Sequence, residues 1–165
     1  MSKKLYLLRH AQSADKQHGQ VDKERELTAQ GRLDATKIGR AIKKLNINFD
    51  LVISSTASRA KSTTLLVAAA IQFDTKAIEW SEEIYETAVQ NLIMIVGGID
   101  NTLDSVLLVG HNPTISYCAA YLSGTDRGDL APGCMAILHF SSTDWKEVKQ
   151  NTGKFVSLMD PSLLD

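Results

Sequence analysis

Ser105-Val106-Leu107-Leu108-Val109-Gly110-His111-Asn112-Pro113 opens with the clearest strand of the chain and ends in a turn. The turn leads directly into Thr114–Leu122, which reads as a helix with Asn112 as N-cap and Pro113 at the first helical position. Leu5-Tyr6-Leu7-Leu8 is a second such strand, apolar throughout as when both faces are buried. Leu51-Val52-Ile53, closed by Ser54 and Ser55, is another. Amphipathic stretches lie between these runs. Thr28 offers an N-cap for residues 29–45, with Leu33, Ile38, Ala41, Ile42 and Leu45 on one stripe. Residues 58–72 are helical in character through Ala60, Leu65, Leu66 and the run 68–71. Residues 77–80 suggest a short strand, and Val89–Val96 a helix ended by Gly97-Gly98. A polar loop, 123–133, precedes strands at Met135–Phe140 and Phe155–Leu158. Residues 10–26 form an unusually long polar loop, and long loops in compact domains are often functional.

Strands alternating with helices predict an α/β fold. The expected architecture is a three-layer sandwich, a mostly parallel central sheet flanked by helices on both faces. The 165 residues fit one domain, 1–165. Hydrophobic residues at 44% and charged residues at 22% suit a globular chain. Lys plus Arg number 18 against 19 for Asp plus Glu, a net charge of -1, which argues against a nucleic-acid partner. No apolar run is long enough for a signal peptide or a membrane span. Two cysteines, Cys118 and Cys134, make no disulfide framework and suit a reducing compartment. A cytoplasmic protein without membrane contact is expected.

In open α/β sheets, ligands bind beyond the carboxyl ends of the strands. Those ends carry Arg9-His10, then Ser54-Ser55 leading to Arg59, then Gly110-His111. Arg59, in the first turn of a helix, opposes the macrodipole at a cost of about 0.3–1 kcal/mol, which a bound anion offsets. A plainer reading has Arg59 solvated or paired with a carboxylate. Beside Arg9, the imidazolium form of His10 is disfavoured, and a neutral imidazole is a nucleophile. The alternative is a histidine satisfied by a backbone carbonyl. His111 either caps its strand–helix turn or donates to an anion at the helix N-terminus. Gln12 and Ser13 are placed to add hydrogen bonds there. His18 reads as solvated, His139 as structural and Cys118 as core.

Leu7-Leu8-Arg9-His10-Ala11-Gln12-Ser13 resembles the signature of the histidine phosphatase (phosphoglycerate mutase-like) superfamily, with Ala11 in place of its usual glycine. Leu27-Thr28-Ala29-Gln30-Gly31, the stretch Ser54–Thr63 and Val109–Pro113 resemble later blocks of that family in order. Within it the chain most resembles the small SixA-type phosphohistidine phosphatases, because larger relatives carry helical insertions. The resemblance implies that His10 attacks phosphorus and forms a transient phosphohistidine. It implies that Arg9, Arg59 and His111 bind the phosphate, with no metal and no cofactor. The four histidines show no metal-ligand spacing of their own. The general acid falls within Glu79–Ala88, where Glu86 best matches the family, Glu83 comes next, and a solvated acidic turn is the alternative. The implied partner is a phosphorylated signalling protein bearing phosphohistidine. The other readings are a small phosphorylated substrate, or a non-catalytic module that binds a phospho-ligand.

Overall fold

The computed structural model describes residues 2–165. Among them, six strands form one sheet in the order β3-β2-β4-β1-β5-β6. The strands are β1 (Lys3–Arg9), β2 (Leu51–Ser55), β3 (Glu79–Ser81), β4 (Ser105–Gly110), β5 (Met135–Phe140) and β6 (Gly153–Met159). β1, β2, β3 and β4 run parallel; at one side β5 is antiparallel to β1, and β6, antiparallel to β5, returns to the direction of the first four. The helices are α1 (Ala29–Lys44), α2 (Ser58–Ile71), α3 (Val89–Gly97) and α4 (Thr114–Ser123). The expected α/β sandwich with a mostly parallel sheet is what forms.

Alternation along the central strands separates two cores. Leu5, Leu7, Val106 and Leu108 pack with Leu92 of α3 and Ile115, Cys118 and Leu122 of α4. Tyr6, Leu8, Leu107 and Val109 face the other way, onto Ile38 and Ile42 of α1 and Val67 of α2. Each aliphatic side chain fully buried this way contributes about 1.5–3 kcal/mol. The strands are apolar without alternation because both faces are covered.

Several sequence expectations need correction. Leu33 and Leu45 are exposed, and α1 buries Gly31, Ala35 and Gly39 beside its two isoleucines. The cause is the close crossing of α1 and α2, where a Cβ on Gly39 would lie 2.6 Å from that of Ala70. Small residues therefore take the seam, and the larger apolar ones are displaced outward. Leu65 is likewise exposed, and α2 buries Thr63, Thr64 and Val67. Ala77 belongs to a 3-10 turn, and β3 is confined to Glu79–Ser81. Asn112 is not the N-cap of α4. Pro113 holds that position without a side-chain cap, because the Asn112 amide donates to the Leu130 carbonyl and its oxygen accepts from Ser116.

The parallel strands bring β1, β2 and β4 side by side, with Arg9 level with Gly110 and Ser54 level with Val109. The strand-end residues named from the sequence therefore meet at one edge. At the opposite end Lys3 is buried, and its ammonium is satisfied by the carbonyls of Asn101 and Leu103 and by Asp104.

Candidate active site

His10 follows directly on β1 and is 7% exposed. Its Nδ1 lies 2.8 Å from the Ala11 carbonyl. A carbonyl only accepts, so Nδ1 carries the proton and Nε2 presents a lone pair. Arg59 Nε donates to that Nε2 at 3.3 Å. Burial, reinforced by Arg59 and Arg9, lowers the pKa of His10 to about 4. The ring is therefore neutral at pH 7. The reading in which a backbone carbonyl satisfies His10 is met at Nδ1, while the lone pair of Nε2 accepts from Arg59. Arg9, which alone prompted the expectation of a depressed pKa, is a smaller cause than burial.

The backbone beneath His10 is fixed from three sides. Ala11 N–H donates to Thr63 Oγ1 at 3.0 Å, and Thr63 in turn donates to the Arg59 carbonyl at 2.8 Å. The Ala11 methyl is fully buried beside Leu27 and Ala35, so the site has room for the alanine that stands in the glycine place. Thr28 caps α1 as expected, accepting from Gly31 N–H. Gly31 sits so close to the next segment that a Cβ there would lie 2.1 Å from the Gln12 carbonyl oxygen. The Leu27–Gly31 and Ser54–Thr63 blocks thus act in part by holding the turn after His10.

His111 lies next to His10, with ring centres 5.1 Å apart. Its Nε2 hydrogen-bonds Ser55 Oγ at 2.8 Å, and Ser55 also accepts from Ala57 N–H. Burial, then His10 and Arg59, lowers the His111 pKa to about 3. Arg9 donates from Nη1 to the Leu130 carbonyl. Arg9 Nε and His111 Nδ1 are buried without a hydrogen-bond partner among the described residues. An unpaired buried donor such as Arg9 Nε costs about 1–3 kcal/mol, a cost that an oxyanion ligand offsets.

Arg59 realises its plainer reading as well. Nη1 donates to the Asp22 carbonyl at 2.9 Å and Nη2 to Asp22 Oδ2 at 3.1 Å. Sequence reasoning passed over Asp22, which stands in the long loop without a motif. It accepts 2.6 Å from the Tyr85 hydroxyl and 3.1 Å from Arg25 Nη1. The Tyr85 hydroxyl, followed by Arg25 and Arg59, holds the Asp22 carboxyl well below the usual carboxylate range. The same hydrogen bond pushes Tyr85 up to about 12. Arg25 also donates to the Ala14 carbonyl and to Ser13 Oγ, which ties the long loop shut. Ser13 is thereby committed to Arg25, and Gln12 Oε1 accepts from the Thr28 hydroxyl. Both accept through oxygen, which leaves the Ser13 hydroxyl and the Gln12 amide N–H groups as donors.

A cleft of about 370 Å³ is lined by Asp22, Arg59, Tyr85, Glu86, His111 and Asn112, among others. Glu86 is thus on the cleft wall, with its backbone in the left-handed region at φ 50°. Glu83 lines neighbouring cavities but not this one. His18 is exposed, and His139 lies half-buried on β5. Among the described residues, no three His, Cys, Asp or Glu side chains are grouped to hold a metal ion. No helix there is long and apolar enough to cross a membrane.

An uncharacterised protein of Mycobacterium tuberculosis strain H37Rv is 29% identical over 160 residues, covering 81% of this chain and 98% of that protein. A structure assigned as the phosphohistidine phosphatase SixA of Agrobacterium tumefaciens is similar at 25% identity with a TM-score of 0.79, covering 95% of this chain and 97% of that one. The protein histidine phosphatase SixA in complex with tungstate shares the fold at a TM-score of 0.83 and 21% identity, over 96% and 97% of the two chains. The family model of the histidine phosphatase superfamily (branch 1) matches residues 5–94, a span that contains His10, Gly31 and Arg59. With more than half of its length so matched, the chain belongs to the histidine phosphatase superfamily.

Proposed function

We propose that residues 1–165 act as one phosphatase domain in the cytoplasm, removing phosphate from phosphohistidine on a signalling protein without a metal or cofactor. The observation that carries this reading is the state of His10. Its Nδ1 is protonated and held by Ala11, while Nε2 is unprotonated and faces Arg59. Nε2 attacks the phosphorus as the bond to the leaving imidazole breaks. The leaving ring, protonated on its other nitrogen, departs neutral. Water then attacks the phosphohistidine at His10, releasing inorganic phosphate and restoring the ring. Arg9 and Arg59 neutralise the transferring oxygens and the uncharged His111 helps orient them, which is most of what phosphoryl transfer requires of a protein. The buried, unpaired Arg9 Nε supports such an anion there, and His111 Nδ1 adds a donor in the tautomer that accepts from Ser55 at Nε2.

A second reading, a phosphatase of small phosphorylated metabolites, draws on Glu86. An alkoxide is a poor leaving group and needs a proton. Asp22 is held ionised, so it is no donor, and Glu86 is the other carboxyl on the cleft wall. The strained backbone at Glu86 agrees with a functional position. The two readings separate on a panel containing a phosphohistidine protein and a chromogenic phosphate monoester. Under the first, Glu86→Gln leaves phosphohistidine turnover intact. A large loss on the monoester alone is compatible with it, whereas a large loss on both favours the metabolite. Release of phosphate from neither substrate by folded protein overturns both and leaves a phospho-ligand binding module.

A further inference from the structure

The site cleft does not stop at Glu86. Tyr85, Glu86 and Thr87 line both it and a neighbouring cavity of about 560 Å³ that runs along α3 to Met94 and Ile95. Glu83 and Ile95 line that cavity and also a third, of about 440 Å³, which reaches Leu51 and Ile53 of β2 and ends at Asp100 and Leu103. The shared lining residues set the three cavities in a row, a segmented groove that leads from His111 toward the side of the sheet ending in β3.

The two ends of the groove differ in charge. Beside His111 it presents Arg59, while farther out Leu51, Ile53, Ile95 and Met94 give it apolar walls. Met94 is 74% exposed, unusual for an apolar side chain, and methionine adapts to varied partners. Glu79, Glu83, Glu86 and Asp100 border these walls and are exposed. Among the described residues, no Lys or Arg lines either outer cavity. An anionic metabolite gains nothing from four carboxylates beside its phosphate. A chain whose phosphate enters the cationic end while cationic residues follow it outward is matched along the whole length.

We propose that this groove docks the segment of a phosphorylated protein adjoining its phosphorylated residue, a segment carrying cationic side chains interspersed with apolar ones. This rests on the phosphatase reading of the cleft and extends it to the substrate's flanks. Exposed charges of this kind act within about 8 Å at physiological salt, so they sort partners chiefly through encounter and repulsion. Acidic flanks are rejected by the same carboxylates.

The test uses two phosphohistidine peptides, one flanked on both sides by lysine and leucine and the other by glutamate and leucine, with free phosphohistidine as a third substrate. In the wild-type protein, kcat/KM for the lysine peptide should exceed that for the glutamate peptide by about tenfold. The difference should lie in KM and shrink as salt is added. In Glu79→Lys/Met94→Lys, which alters two exposed residues outside the cleft lining, the preference should collapse while free phosphohistidine is turned over as before. Equal kcat/KM for the two peptides in the wild type overturns the proposal. So does a loss in the variant that is as large on free phosphohistidine. If no phosphohistidine substrate is turned over, the phosphatase reading fails by itself, and binding still decides about the groove. Fluorescence anisotropy of the unphosphorylated lysine peptide on the His10→Ala protein should show binding that is lost on adding the two lysine substitutions. Equal binding of the glutamate peptide, or none of either, overturns it.

Discussion

Replacing Gly31 by alanine sets two effects against each other. Gly31 lies in the first turn of α1, where alanine gains up to about 1 kcal/mol of helix propensity. The added Cβ would lie 2.1 Å from the Gln12 carbonyl oxygen, 3.0 Å from its carbon and 3.1 Å from its nitrogen. Ordinary contact needs about 3.5 Å, so α1 and the Gln12 segment must separate by more than about 1 Å. The obstacle is backbone, which has no rotamer to move. Overpacking of this kind costs about 1–3 kcal/mol. The hydrogen bond from Thr28 N–H to Gln12 O at 3.0 Å weakens as well, for about another 1 kcal/mol. The losses win, with a net destabilisation of about 1–3 kcal/mol by urea unfolding. Gln12 is two residues from His10, and a shift of about 1 Å at a reacting group costs on the order of 100-fold in kcat/KM. Gly97→Ala is the control, because nothing lies within 4 Å of its Cβ position. It should be neutral or slightly stabilising, with full activity. A Gly31→Ala protein as stable and active as the wild type refutes the close approach of α1 to this turn.

Three other changes have definite outcomes. Activity should keep its neutral-pH level down to an acid limb near pH 4, where His10 titrates; a limb at 6.5 contradicts the burial that depresses it. Because the unfolded His10 takes its proton at about 6.5, stability should fall as pH drops from 6.5 to about 4, by on the order of 3 kcal/mol from this residue, and equilibrium unfolding at the two pH values checks it. Thr63→Val keeps the volume but strands the Ala11 N–H, so about 1–3 kcal/mol of stability and part of kcat should be lost, and unchanged values sink the role given to Thr63. Asp22→Asn should bring the Tyr85 ionisation down from about 12 toward 10 in an alkaline absorbance titration; no movement contradicts their hydrogen bond.

The strands and the cluster at their ends could be read from the sequence because each is a local signal. Leu5–Leu8, Leu51–Ile53 and Ser105–Val109 are short apolar runs, and Arg9, His10, Arg59 and His111 stand immediately beyond such runs or in the turn that follows. Parallel pairing then brings them together without further information. Asp22 and Tyr85 were not legible because their partners are distant in the chain, 37 residues separating Asp22 from Arg59 and 63 separating it from Tyr85. A lone aspartate in a polar loop carries no periodicity or spacing that marks it. The stripe on α1 misleads for a related reason. Leu33 and Leu45 fit a helical period, but how closely α2 crosses at Gly39 is a tertiary fact, and it gives the seam to small residues. Asn112 has the chemistry of an N-cap, yet Leu130 and Ser116 from elsewhere take its side chain.

The most direct measurement is the position of phosphate on the enzyme during turnover. Rapid acid-free quenching, followed by peptide mapping and phosphorus NMR, should find an acid-labile phosphoryl group on Nε2 of His10, the nitrogen not bound to the Ala11 carbonyl. It should be absent from His10→Ala. Turnover that proceeds with no such adduct, or with the phosphate on His111 or on Nδ1 of His10, would contradict the assignment of His10 Nε2 as the nucleophile.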